Sequence, residues 1–108
     1  MKKYISLAKD FNRDPAGRFL SDGPFSGEKF REELLYPALK DPKIEKVIVE
    51  LNGLGGVGSS FWDEAFGGLI RNDQLPLNEI RVKLEIRCED ASLIKHVWSF
   101  INSASAGE

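Results

Sequence analysis

Apolar and polar positions along this chain change period several times, and each change marks an element. Val47, Ile48 and Val49 form one β-branched block inside residues 45–51. That pattern predicts a central strand buried on both faces, with parallel neighbours. Residues 80–87 (IRVKLEIR) alternate instead, with Ile80, Val82, Leu84 and Ile86 on one face and charges on the other. Alternation predicts a strand with one wet face, near an edge. Residues 3–8, with Tyr4 and Ile5, and residues 17–20 inside the Pro- and Gly-containing stretch 9–25 are two shorter strand candidates.

Three segments carry a helical period. After Ser26, placed to cap a helix, Phe30, Leu34, Leu35, Ala38 and Leu39 recur at helical spacing up to Asp41-Pro42, and Pro37 predicts a kink or early end near Leu35-Tyr36. From about Ser60 to Asn72, Phe61, Ala65, Phe66, Leu69 and Ile70 form one stripe. Gly67-Gly68 lies in the middle of this helix, where each glycine costs roughly 1 kcal/mol relative to alanine. The pair therefore predicts close packing against a neighbour. Asp90 caps a third helix with Leu93, Ile94, Val97, Trp98 and Ile101 inward, and the tail 103–108 is expected to fray. The fold class is α/β: a mixed sheet of about four strands with three helices packed against it.

Candidate chemistry concentrates between the strand at 45–51 and the second helix, in Gly53-Leu54-Gly55-Gly56-Val57-Gly58-Ser59-Ser60. The glycines match G-x-G-x-x-G, but the acidic residue expected roughly 20 positions on, at the end of the next strand, falls in the turn from Asp73 to Pro76. A dinucleotide site is excluded on that spacing. A phosphate-binding P-loop is excluded because no Lys precedes the serines. The glycines remain as a tight turn with positive φ, which lets a partner or an anion approach the backbone. Ser59 and Ser60 stand at a helix start, where a serine either caps the helix or accepts a phosphate beside Asp63 and Glu64.

Other chemistry does not assemble. The serines are outside a G-x-S-x-G elbow, and the single histidine, His96, sits on the third helix without neighbouring ligands. Asp63 and Glu64 are adjacent and face different ways; Cys88 reads as a small core residue. Trp62, off the main apolar stripe, reads either as an exposed interface anchor or as cover for the sheet edge.

Length and charge narrow the classes further. A chain of 108 residues predicts a single domain over 1–108. Fifteen basic residues against seventeen acidic ones, with no basic stripe, argue against nucleic acid or a charged membrane surface as partner. One cysteine precludes an internal disulfide and suits a reducing compartment. No apolar run approaches the roughly 20 residues of a membrane span, and none follows Lys2-Lys3 as a signal peptide requires. A cytoplasmic protein is expected.

Taken with these elements, Val47 to Gly53, Gly58-Ser59-Ser60 and Leu69-Ile70 resemble the core of the STAS domain (sulfate transporter and anti-sigma factor antagonist). Asp10-Phe11, Gly17-Arg18, Ser26 to Arg31 and the run from Gly58 to Ile70 resemble more closely the STAS-like family of short bacterial proteins of unknown function, over about residues 4–101. The resemblance implies a non-enzymatic regulatory module, without cofactor or metal, that binds a protein partner. In anti-sigma factor antagonists a kinase of the histidine-kinase-like ATPase type phosphorylates the second serine of a D-S-S-G motif, and the phosphate blocks binding. Ser60 matches that serine and Ser59 the one before it, while Gly58 stands in place of the aspartate and Phe61 in place of the glycine. The implied docking site is the glycine turn and helix start at 53–64, with Gly55, Gly56, Val57, Gly58, Phe61, Trp62, Asp63 and Glu64 as its partner-binding residues. The alternative function is a small-molecule or nucleotide sensor that uses the glycine turn as an anion nest.

Overall fold

The computed structural model describes residues 1–107. Strands β1 (Lys2–Ser6), β2 (Lys46–Glu50) and β3 (Leu84–Arg87) form one sheet in the order β1-β2-β3. Both pairings are parallel, with Tyr4 opposite Ile48 and Ile48 opposite Glu85. Parallel strands need crossover connections, and each crossover here contains a helix. The sheet is thus parallel rather than mixed, and among the described residues it has three strands where about four were expected.

Side-chain alternation sorts the strands into two faces. Ile5, Val47, Val49, Leu84 and Ile86 join the hydrophobic core. Ile48 lies on the opposite face, buried between exposed Tyr4 and the Glu85 row. The contiguous block in β2 is therefore buried on both faces, as its composition predicts.

Helix α1 is one continuous run: Gly27–Phe30, a wider π-turn at Arg31–Leu35, then Tyr36–Lys40. Ser26 caps it by accepting from Lys29 N at 3.1 Å. The π-turn explains why Pro37 does not end the helix. Proline removes the N–H that would reach Glu33 and crowds that carbonyl. The preceding turn widens, so that Tyr36 N–H bonds five residues back to Arg31 O. Helix α2 has the same construction: Ser59–Trp62, a π-turn at Asp63–Gly67, then Gly68–Arg71. Its predicted stripe, Phe61, Ala65, Phe66, Leu69 and Ile70, is fully buried. Both strand-to-strand crossovers run the same way across the sheet, so right-handed connections put α1 and α2 on one face. There Phe30, Phe61 and Phe66 pack in tilted pairs 6.2–6.3 Å apart.

Residues 80–87 are not one strand. Helix α3 (Leu77–Lys83) comes first and β3 begins only at Leu84. Ile80 and Leu84 satisfy both a period of two and a spacing of four, so alternation could not separate the two readings. Val82 separates them, because as a helical residue it is 73% exposed. The candidate strand at 17–20 is likewise absent. Gly17 adopts φ +95°, and Leu20–Asp22 form a 3₁₀ turn. The Asp22 carboxylate accepts from Arg18 N and Phe19 N at 3.1 and 2.8 Å, which takes the N–H groups a strand would offer a neighbour.

The last helix, α4 (Ala91–Ala106), is capped by Asp90, which accepts from Ser92 N at 3.0 Å, and packs against α2. It continues through Ser103–Ala106 with Ala104 buried, so this part of the expected fraying tail is helix; Glu108 lies outside the described residues. Cys88 is half-buried, packed against the core and not, as expected, inside it, and His96 is exposed. No helix among the described residues is long and apolar enough to cross a membrane.

Gly27 sets how closely α1 approaches α2. A Cβ built there would lie 2.5 Å from Phe61 O and 3.1 Å from Ala65 N, both backbone atoms. Gly27→Ala is expected to destabilise the fold by about 1–3 kcal/mol, the usual cost of overpacking. Urea denaturation at unchanged m-value measures this, and a loss below about 0.5 kcal/mol would mean the helices separate freely.

Candidate functional site

The loop 51–58 leaves the C-terminal end of β2 and enters α2. Its first half is held on both sides. Leu51 N donates to Arg87 O at 2.9 Å, and Asn52 Oδ1 accepts from Glu89 N at 2.9 Å. Gly53 turns the chain at φ +84°, the one place in the loop that needs glycine for its backbone angle. Gly55 N donates to Arg13 O at 2.8 Å, and a Cβ on Gly55 would collide with the Asp14 carboxylate. Beyond this point the loop is open. Nothing lies within 4 Å of where a Cβ on Gly56 or Gly58 would stand, and Val57 is half-buried against the core.

The expected positive-φ turn is therefore limited to Gly53. An anion nest needs successive N–H groups turned into one concavity. Here Gly55, Gly56 and Gly58 lack positive φ and the Gly55 N–H is already bonded.

Neither serine caps α2. The N-cap is Gly58, extended at ψ 153°, and the first turn closes through Phe61 N to Gly58 O at 3.1 Å. Ser59 and Ser60 are already inside the helix and exposed, and their hydroxyls bond no group among the described residues. The residues that follow correct the docking list. Phe61, Trp62 and Glu64 are at most 4% exposed and Asp63 is half-buried. Trp62 packs edge-on to Phe61 at 5.3 Å and 6.1 Å from Phe66, so it is a core residue and not an exposed anchor. The surface available at this site is the loop from Gly55 to Ser60.

Beneath it lies a polar network that the sequence did not disclose. Arg31 of α1 is 2% exposed, and its Nη1 donates to Glu64 Oε2 at 2.7 Å and to Glu64 O at 2.5 Å. Its Nε lies 3.1 Å from Asp73 Oδ2 without pointing at it, so these two atoms form an ion pair and no hydrogen bond. Asp63 is held by Arg18 Nη1 at 2.7 Å and by Arg71 Nη1 at 3.0 Å. Three guanidinium groups balance three carboxylates. The mid-helix glycines make room for them. A Cβ on Gly68 would strike the Arg31 guanidinium, and one on Gly67 would sit 2.8 Å from Arg71 Nη1 and 3.2 Å from Phe100 O. The Gly67-Gly68 pair was the available sequence signal, but it did not name the neighbour.

The two aspartates respond in opposite directions. Burial pushes the Asp63 carboxyl up, but hydrogen bonds from Arg18 and Arg71 outweigh it and hold it below the ordinary value. Burial raises the Asp73 carboxyl, and the Arg31 guanidinium offsets only part of that. Outside the loop, Arg18, Phe19, Asp63, Glu64, Arg71 and Asn72 line a shallow concavity of about 580 Å³, and Phe19 and its chain neighbour Leu20 are about half exposed. Among the described residues, no group of three His, Cys, Asp or Glu side chains is placed to hold a metal ion.

Glu64→Gln leaves the Arg31 charge buried and poorly paired, and should cost about 3–5 kcal/mol of unfolding free energy. Asp73→Asn, which removes a charge that burial already disfavours, should cost at most about 1 kcal/mol. Equal losses in chemical denaturation would contradict this ranking. Asp63 also makes stability depend on pH. Its contribution is complete above the unfolded carboxyl value of about 3.9 and is lost as pH falls through the lower folded value. Asp63→Asn should flatten the stability curve in that acid window, and an unchanged slope there would refute the assignment.

A family model described as a STAS-like domain of unknown function matches residues 26–92, more than half of the chain. No curated protein and no solved structure matches it.

Proposed function

The chain belongs to the family of STAS-like domains of unknown function, and from that premise we propose that it is a non-enzymatic, cytoplasmic regulatory module that docks a protein partner through the loop and helix start at 53–60. The partner is a histidine-kinase-like ATPase or an anti-sigma-type factor, and phosphorylation of Ser60 or Ser59 controls docking. One observation carries this reading. Both serine hydroxyls are exposed and uncommitted at the head of a helix whose remaining residues are almost all buried.

Their setting supports the reading in three ways. Gly56 and Gly58 leave the approach to the serines sterically open. Phe61, Trp62 and Glu64 now act indirectly, by anchoring the helix start so that it presents the serines at a fixed position. A phosphate brings a charge of about −1.5 to −2 to a helix N-terminus, which tolerates negative charge. Asp63 and Glu64 follow within one turn, but their charges are neutralised by Arg18, Arg71 and Arg31, so they do not forbid the modification.

The test is incubation with a histidine-kinase-like ATPase of the same organism, in the presence of ATP, followed by intact-mass measurement and binding calorimetry. The mass should rise by one phosphoryl group and stay unchanged in the Ser59→Ala, Ser60→Ala double variant. Ser60→Asp or Ser59→Asp should weaken docking at least about tenfold, or 1.4 kcal/mol. An unchanged mass together with binding indifferent to both substitutions would remove the switch.

A further inference from the structure

We propose that Arg18 is the receiver of a phosphate carried by Ser59, so that modification of the helix start is read out by the turn presenting Phe19 and Leu20. This deepens the function proposed above and rests on its reading of the serines as phosphoacceptors.

The two serines are not equivalent. Ser59 and Asp63 are linked by an α-helical hydrogen bond, from Asp63 N to Ser59 O, so their side chains share one row of the helix, about 5–6 Å apart at Cβ. Asp63 Oδ2 is the atom that Arg18 Nη1 touches at 2.7 Å. A phosphate on Ser59 thus extends toward a guanidinium already fixed at the next position of its row. Ser60 shares the row of Glu64 instead. That carboxylate is buried and tied to Arg31, and Arg18 reaches it only at 3.6 Å through the same Nη1.

Arg18 has donors to spare. Its contacts with acidic groups all use Nη1, and the N–H groups on Nε and Nη2 meet no acceptor among the described residues. A guanidinium presents its donors as a planar fork, so one edge can hold a carboxylate while another takes a phosphate. Arg18 is 32% exposed at its side chain, open enough for an incoming oxyanion. Arg71, the other partner of Asp63, uses both of its terminal nitrogens on Asp63 and its backbone. Arg18 thus keeps a whole edge, Nε with Nη2, unused, whereas Arg71 keeps only its Nε.

Arg18 belongs to a turn with little slack. Asp22 accepts from the N–H groups of Arg18 and Phe19, Glu28 Oε1 accepts from Leu20 N at 2.9 Å, and Glu28 N donates to Arg18 O at 3.0 Å. A Cβ on Gly17 would meet Asp22 Cβ at 2.8 Å. All this order presents two apolar side chains to solvent, Phe19 at 49% and Leu20 at 53% exposure, with the Arg18 guanidinium 6.0 Å from the Phe19 ring centre. Drawing the guanidinium toward Ser59 alters the cover of Phe19 first. Exposed aromatic and aliphatic groups on a rigid support are what a protein interface uses as anchors. One charge at Ser59 thus reaches a second patch of the surface.

Phosphoserine installed during translation at position 59 or at position 60 tests this without any kinase. A phosphoserine loses its second proton near pH 6, and a guanidinium at hydrogen-bond distance lowers that midpoint. In ³¹P NMR titrations the midpoint at position 59 should lie about half a unit or more below that at position 60. Arg18→Gln should abolish the difference and Arg18→Lys should restore part of it. Arg71 still holds Asp63 in both variants, and near-ultraviolet circular dichroism checks that the fold persists. Phe19 ring resonances should move on phosphorylation at 59 and stay in place on phosphorylation at 60. Coincident midpoints, or a difference that survives Arg18→Gln, would overturn the assignment. Failure of the functional reading appears elsewhere, as an unchanged mass in the ATPase incubation.

Discussion

The structure depends on one buried contact, the Arg31–Glu64 ion pair between α1 and α2. A guanidinium at 2% exposure is tolerable only because Glu64 supplies both a carboxylate oxygen and its backbone carbonyl to the same nitrogen. Much else in the helix layer follows from accommodating it. Gly68 has no side chain because Arg31 occupies the space, and Gly27 has none because the two backbones must come close enough for the pair to form. A helix with two central glycines is intrinsically weak, so α2 draws its stability from burial of Phe61, Trp62, Phe66, Leu69 and Ile70.

That constraint also shapes the functional surface. Because α2 is clamped along nearly its whole length, its exposed first residues are held in place by what lies behind them. The network then continues outward, from the buried Arg31–Glu64 pair to half-buried Asp63 and on to the partly exposed guanidinium groups of Arg18 and Arg71. Inside, every guanidinium faces a carboxylate, although Arg31 Nε donates no hydrogen bond; at the outer edge, Arg18 keeps donors that solvent can reach. The Phe19–Leu20 turn is tied to α2 through Arg18 and Asp63, and the loop that leads into α2 is tied through Gly55 to Arg13, in the same stretch of chain as that turn.

Legibility from sequence varied with the range of the interaction. The stripe of α2, the caps at Ser26 and Asp90, and the doubly buried β2 were all readable, and the serines were correctly placed at a helix start. Among the readings that the structure overturned or decided, three show why a few residues were not enough. The span 80–87 has apolar spacings that suit both periods. Trp62 sits off the stripe, yet beyond Ser60 helix α2 is buried nearly all round, so its position offers no outward face for a large ring. Capping was one of two roles open to the serines, but Gly58 takes the extended N-cap conformation one residue earlier.

What the sequence determined by itself is what neighbours within a turn or two decide: β-branched blocks, helical stripes, capping side chains, and the glycine turn ahead of two serines. These follow from backbone propensity and periodicity, which act over a few residues. Tertiary structure alone decided which carboxylate meets which arginine. Arg31 finds Glu64 across 33 positions and Arg18 finds Asp63 across 45. Such pairs are selected by the closeness of two helices and the room left by glycines, and a linear pattern of charges holds no record of either.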